Sequence, residues 1–177
     1  MTIPRDWESE RTVLGGVLTD PTLYADLVSV GTLPTDFDKP AHRALWILMG
    51  RLDWCDLPSV CSVLEQSRHH AAECGGIAYV CALPFACPSI MGIPIRAQSL
   101  SQTRVRREVA ILCADFQART ADPFGAVGLV ADLQAAIAAI PPVSGRLTIP
   151  ASAPAPSEPK AQHPAWGSIV EHVGRMA

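Results

Sequence analysis

The run Glu8-Ser-Glu-Arg-Thr-Val-Leu-Gly-Gly-Val-Leu-Thr-Asp-Pro21 places two adjacent glycines inside a segment that otherwise reads as helix. Asp6 can cap its start, Glu8 and Glu10 favour the positive end of the helix dipole, and Val13, Leu14, Val17 and Leu18 share one face. Each glycine in a helix interior costs about 1 kcal/mol relative to alanine. Gly15 and Gly16 therefore demand a compensating contact, and that demand restricts the folds open to the chain.

The helical reading continues downstream. Asp20-Pro21 restarts the chain, and a short helix follows through Leu23, Leu27 and Val28 to Gly31. Pro40 opens a helix carrying Ala41, Leu45, Leu48, Met49 and Leu52 at helical spacing. Asp56 caps a fourth helix with Leu57, Val60, Cys61 and Leu64. Glu73-Cys74-Gly75-Gly76 reads as a turn, Ile77 to Leu83 as a brief helix, and residues 84–94, with Pro84, Pro88 and Pro94, as a loop or broken helix. Two longer helices are expected over about 95–119 and 126–140, joined by a short turn at Asp122-Pro123 and so forming an antiparallel hairpin. No alternating strand pattern of useful length occurs, and the expected fold is all-α: a small helical bundle followed by a helical hairpin.

Composition changes at Pro141. Residues 141–164 are rich in Pro, Ala and Ser and read as an extended tether. Beyond it, Trp166, Ile169, Val170, Val173 and Met176 recur at amphipathic helical spacing. A helix that short is marginal alone in water and needs a surface to dock on; the alternative is a disordered remnant.

Apolar residues make up 49% of the 177, enough for a core, but aromatics only 6%, so the core must rest on Ala, Leu, Val and Ile. A net charge of −3, with lysine only at Lys39 and Lys160, argues against a protein that grips nucleic acid unaided. The six cysteines form no C-x-x-C pair. His69-His70 with Cys74 is the best metal candidate and lacks a second ligand pair, so small buried thiols in a reducing cytoplasm are the favoured reading and no cofactor is expected. The start of the chain does not read as a signal peptide, and no run of about 18 apolar residues appears.

The segments 8–24, 36–52, 56–66, 74–83 and 104–112 occur in an order that resembles the N-terminal domain of DnaB-type replicative helicases. The shared pattern is Glu-x-Glu, then x-V-L-G-G, a D-F-x-x-x-x-H-R block, and G-G-x-x-Y. The resemblance covers residues 4–140. It implies that the first helix is packed tightly within a bundle, with Gly15 and Gly16 admitting a neighbouring helix to the backbone. It also implies that the hairpin over about 95–140 makes the dimer contact, through Val109, Leu112, Phe116, Leu133 and Ile137. Residues 165–177 correspond to the family's linker helix, where Trp166, Ile169, Val170 and Val173 would dock on a partner.

Neither lysine lies in a G-x-x-x-x-G-K-[ST] loop, since Pro40 follows Lys39 and Ala161 follows Lys160, so no ATP hydrolysis is expected of this chain. Glu8 and Glu10 are read as serving the helix dipole, and His42 as a structural histidine bonded to the preceding turn. Arg96, Arg104, Arg106, Arg107 and Arg119 make one helix locally basic. They are read first as a solvated face pairing with Glu108 or Asp115, with Arg104, Arg106 and Arg107 the candidates for an acidic partner or weak DNA contact.

The resemblance points to a non-catalytic interaction module of DNA replication. It would self-associate as a homodimer or higher oligomer and bind a replicative helicase, primase or helicase loader. The alternatives are the N-terminal piece of a split or truncated ATP-dependent helicase, and a primase-like helicase-binding domain.

Overall fold

In the computed structural model, residues 4–121 and 128–143 are described, and every regular element among them is helical. They belong to a unit over Met1–Leu147; a second unit, Thr148–Ala177, lies outside the described residues. The expected docking residues Trp166, Ile169, Val170 and Val173, and most of the tether, fall there.

Helix α1 (Trp7–Thr19) is capped by Asp6, whose carboxylate accepts the Ser9 N–H at 3.1 Å. It is the central element: Val13, Leu14 and Val17 are fully buried, and α1 packs on α7 (Ile93–Ala121) and on the 3₁₀ turn Pro84–Ala86. Around it lie α2 (Thr22–Ser29), α3 (Pro40–Met49), α4 (Leu57–Gln66), α5 (Arg68–Glu73) and α6 (Ile77–Ala82). α3 contributes Trp46, whose ring lies 5.1 Å from Phe37 and 4.6 Å from Tyr24, so three of the sparse aromatics pack together. The Asp56 carboxylate caps α4 by accepting the Ser59 N–H at 2.9 Å, and that bonding holds its carboxyl below the usual carboxylate range.

Three elements depart from the expectation. Residues Arg68–Glu73 form α5, capped by Ser67, and residues 34–36 form a 3₁₀ turn. The last long helix of the bundle begins at Ile93 rather than near Ile95. Pro94 falls in its first turn, where the missing N–H has no intrahelical partner to lose. α8 (Leu129–Ala138) then packs on α7.

The glycine pair faces two different neighbours. A β-carbon at Gly15 would collide with the backbone of Leu83, lying 2.8 Å from its carbonyl carbon and closer still to its oxygen. At Gly16 it would meet the far end of the Ile93 side chain, at 2.5 and 2.8 Å. The approach to Gly15 is thus made by the chain leaving α6, not by the flank of a helix. The Thr12 hydroxyl fixes the same turn by donating to the Ala86 carbonyl at 3.1 Å.

Backbone cannot step aside as a side-chain tip can, so the two glycines should respond differently to alanine. Gly15→Ala should destabilise the fold by about 1–3 kcal/mol despite its gain of roughly 1 kcal/mol in helix propensity. Gly16→Ala should stay within about 1 kcal/mol of the parent. Urea unfolding of the two variants checks this, and equal midpoints would contradict the packing argument.

Candidate interaction site

Two buried polar nodes hold the bundle in register. The first is built on Glu10, which is 1% exposed. Its Oε1 accepts the Asp38 N–H at 2.7 Å, and its Oε2 accepts the Lys39 N–H at 3.3 Å and faces His42 Nδ1 at 2.5 Å. His42 Nε2 meets the Tyr79 hydroxyl at 2.5 Å, and Lys39 Nζ donates to that hydroxyl at 3.2 Å while lying over the ring. With Tyr79 donating to Nε2 and Nδ1–H donating to Glu10, donors and acceptors match along the chain from Lys39 to Glu10.

This adds to one expectation and overturns another. Glu10 lies in the first turn of α1 with Glu8, as expected, but its carboxylate is turned inward as the acceptor for the start of α3. His42 bonds not to its preceding turn but across the bundle, to α1 and α6.

The second node is Arg104, fully buried on α7. Its Nε donates to Asp36 Oδ1 at 2.7 Å and its Nη1 to Glu108 Oε2 at 3.2 Å. Its Nη2 donates to the carbonyls of Pro141 and Pro142 at 3.0 and 2.9 Å. Asp36, itself 1% exposed, also accepts the Leu33 N–H at 2.8 Å and the Ser101 hydroxyl at 3.1 Å. One guanidinium therefore joins the 3₁₀ turn before α3, the middle of α7 and the chain leaving α8. Arg107 donates to the Thr35 carbonyl at 2.9 Å and faces Asp38 at 3.7 Å.

Arg104 and Arg107 are thus not available to an acidic partner or DNA, because burial in a protein interior obliges a guanidinium to spend its donors internally. Of the three arginines named for that role, only Arg106 is exposed.

The hairpin carries part of the exposed apolar surface; Phe85, Met91 and Ile95, at 89%, 76% and 72%, form another part around the start of α7. Phe116 is buried under the Arg119 guanidinium, and Leu112 and Leu133 are half-buried. Val109 and Ile137 are exposed, at 43% and 56%. Ile111 and Val130, which the periodicity did not single out, are exposed at 52% and 71%. The Arg119–Asp132 pair, at 2.6 Å, joins α7 to α8 near the turn. A shallow groove of about 280 Å³ runs between the helices, lined by Glu108, Ile111, Leu112, Ala136, Ile140 and neighbours.

A second concavity of about 410 Å³ lies between α2 and the segment 52–55, beside the exposed Trp54. Burial pushes the Tyr24 phenol and the Cys55 thiol on its wall above their ordinary values, so both groups are neutral at pH 7. Among the described residues no three His, Cys, Asp or Glu side chains come together as a metal site, and no single helix is long and apolar enough to cross a membrane.

These features define an all-α bundle with an appended helical hairpin, organised around buried structural pairs. The same architecture appears in the crystal structure of the N-terminal domain of DnaB helicase from Mycobacterium tuberculosis, with a TM-score of 0.67 at 24% identity, covering 77% of this chain and 99% of that one. It appears again, with a TM-score of 0.56 at 20% identity, in a structure of a DnaB-like replicative helicase and its interactions with primase, covering 74% of this chain and 31% of that one. In sequence, the chain is 28% identical over 110 residues to the replicative DNA helicase DnaB of Geobacillus stearothermophilus, which spans 60% of this chain and 24% of that protein. Residues 2–99 match the DnaB-like helicase N terminal domain, and the chain belongs to that family.

Removing one member of a buried ion pair strands the other. Arg104→Met should therefore lower stability by about 3–5 kcal/mol, and pairing it with Asp36→Leu should recover part of that loss. Thermal unfolding of the single and double variants checks this. A single variant as stable as the parent would show that Arg104 is not the tie.

Proposed function

We propose that this chain is a non-catalytic interaction module of DNA replication that self-associates through the α7–α8 hairpin and binds a replicative helicase, a primase or a helicase loader in the cytoplasm. The observation that carries the reading is the hairpin's apolar surface. Val109, Ile111, Val130 and Ile137 are all more than 40% exposed on two paired helices, and apolar side chains gathered on one element are what an association surface offers. A second copy applying the same surface gives an isologous two-fold contact. Family membership supports the replication setting, and the helicase whose structure is described with primase supports a partner of that kind.

A second reading is the N-terminal part of an ATP-dependent replicative helicase. It is favoured by the chain spanning only about a quarter of the Geobacillus helicase. The self-association test bears on both readings, because each requires the domain to assemble.

Sedimentation velocity over a concentration series should show a reversible dimer or larger oligomer. Val130→Asp with Ile137→Asp should weaken association at least about tenfold while leaving the circular dichroism spectrum unchanged, since both side chains face solvent in the free subunit. A parent that sediments as a monomer throughout the series would remove the basis of the proposal.

A further inference from the structure

Cys61 on α4 and Cys81 on α6 present their sulfurs to each other at 3.6 Å across a helix–helix contact. Both thiols are half-buried, so the pair lies close under the surface rather than in the core. Among the described residues, no other two cysteine sulfurs come within hydrogen-bonding reach: Cys55 and Cys74 are buried, Cys87 is half-buried and Cys113 is exposed. A disulfide needs sulfurs about 2.05 Å apart, and two facing side chains can close the remaining gap by small rotations about their χ1 bonds.

We propose that Cys61 and Cys81 form a redox-responsive pair that converts to an internal disulfide when the chain meets an oxidising small-molecule disulfide. The chemistry balances in two exchanges. A thiolate of the pair attacks one sulfur of oxidised glutathione, forms a mixed disulfide and expels a glutathione thiolate. The second thiol gives its proton to solvent, and its sulfur displaces the remaining glutathione. The two cysteines are oxidised, and one glutathione disulfide is reduced to two thiols.

Chain geometry favours the second exchange, because the resolving sulfur is already in contact with its partner. The first is restrained. Burial pushes the Cys61 thiol up to about 11, reinforced by its contact with Cys81 and the nearby Glu65 carboxylate. The thiolate is the reacting form, so the conversion quickens as pH rises. A pair so restrained reacts slowly at neutral pH and faster as the pH rises.

The consequence is local. The bond would close the loop that contains α5 and the turn at Gly75-Gly76, pinning α4 to α6 beside Tyr79. Closing such a loop removes freedom from the unfolded chain and raises the unfolding temperature.

The full chain is incubated with oxidised glutathione at pH 7.0 and 8.5, quenched with N-ethylmaleimide and digested with trypsin. The expected product links the peptides 52–68 and 69–96, with fragmentation placing the bond at Cys61 and Cys81. It should form faster at pH 8.5, and the oxidised chain should unfold several degrees higher than the reduced one. Cys61→Ser and Cys81→Ser should each abolish the link, and parental circular dichroism in both would show that the fold survives. A lasting glutathione adduct without the internal bond, a bond between other cysteines, or no reaction would each overturn the proposal.

Discussion

The structure depends above all on the burial of Arg104. A guanidinium removed from water must find acceptors for a planar fan of donors, and the chain supplies them from two distant stretches and one local partner: Asp36 before α3, the carbonyls of Pro141 and Pro142, and Glu108 one turn along α7. No single aliphatic side chain could tie these together, because the contacts are directional. The tie also sets the division of labour along α7. Its first half, through Ile93, Ala97, Leu100 and Ser101, is buried with the bundle, while beyond Arg107 the helix carries Val109 and Ile111 into solvent and pairs with α8.

The second node makes the same point about the bundle. Glu10, Lys39, His42 and Tyr79 come from three separate segments of the resemblance, and they prove to be one hydrogen-bonded string. The recurring order of those segments thus marks a spatial unit, in which α1, the start of α3 and α6 are joined by polar contacts that water cannot replace. The close approach of Leu83 to Gly15 completes the unit, because α6 can reach Tyr79 into place only if the chain leaving it lies against α1.

Much of this fold could be read from the residues. α1, α3, α4 and α6 announced themselves by apolar spacing and by caps such as Asp6 and Asp56. α5 did not, since six residues with no buried member leave no periodic signal. The inward face of α7 was hidden for a different reason: Ser101, Arg104 and Arg107 are polar, so a search for aliphatic spacing passes over them. The inward role of Glu10 was hidden because an acidic residue in a first helical turn already has a sufficient local explanation. Only the position of Asp38, Lys39 and His42 in space shows that it is an acceptor. A signal was nonetheless present, in Glu10, His42 and Tyr79 all falling within the segments that carry the family resemblance.

Helix α7 is locked to the bundle by Arg104, and its far half is the surface we propose for assembly. Hydrogen–deuterium exchange of the full chain, measured at low and high protein concentration, tests this most directly. Added protection at high concentration should be confined to α8 and to α7 beyond Arg107, with the bundle amides unchanged. Protection that grows instead across α1 to α6, or that shows no dependence on concentration anywhere, would contradict it.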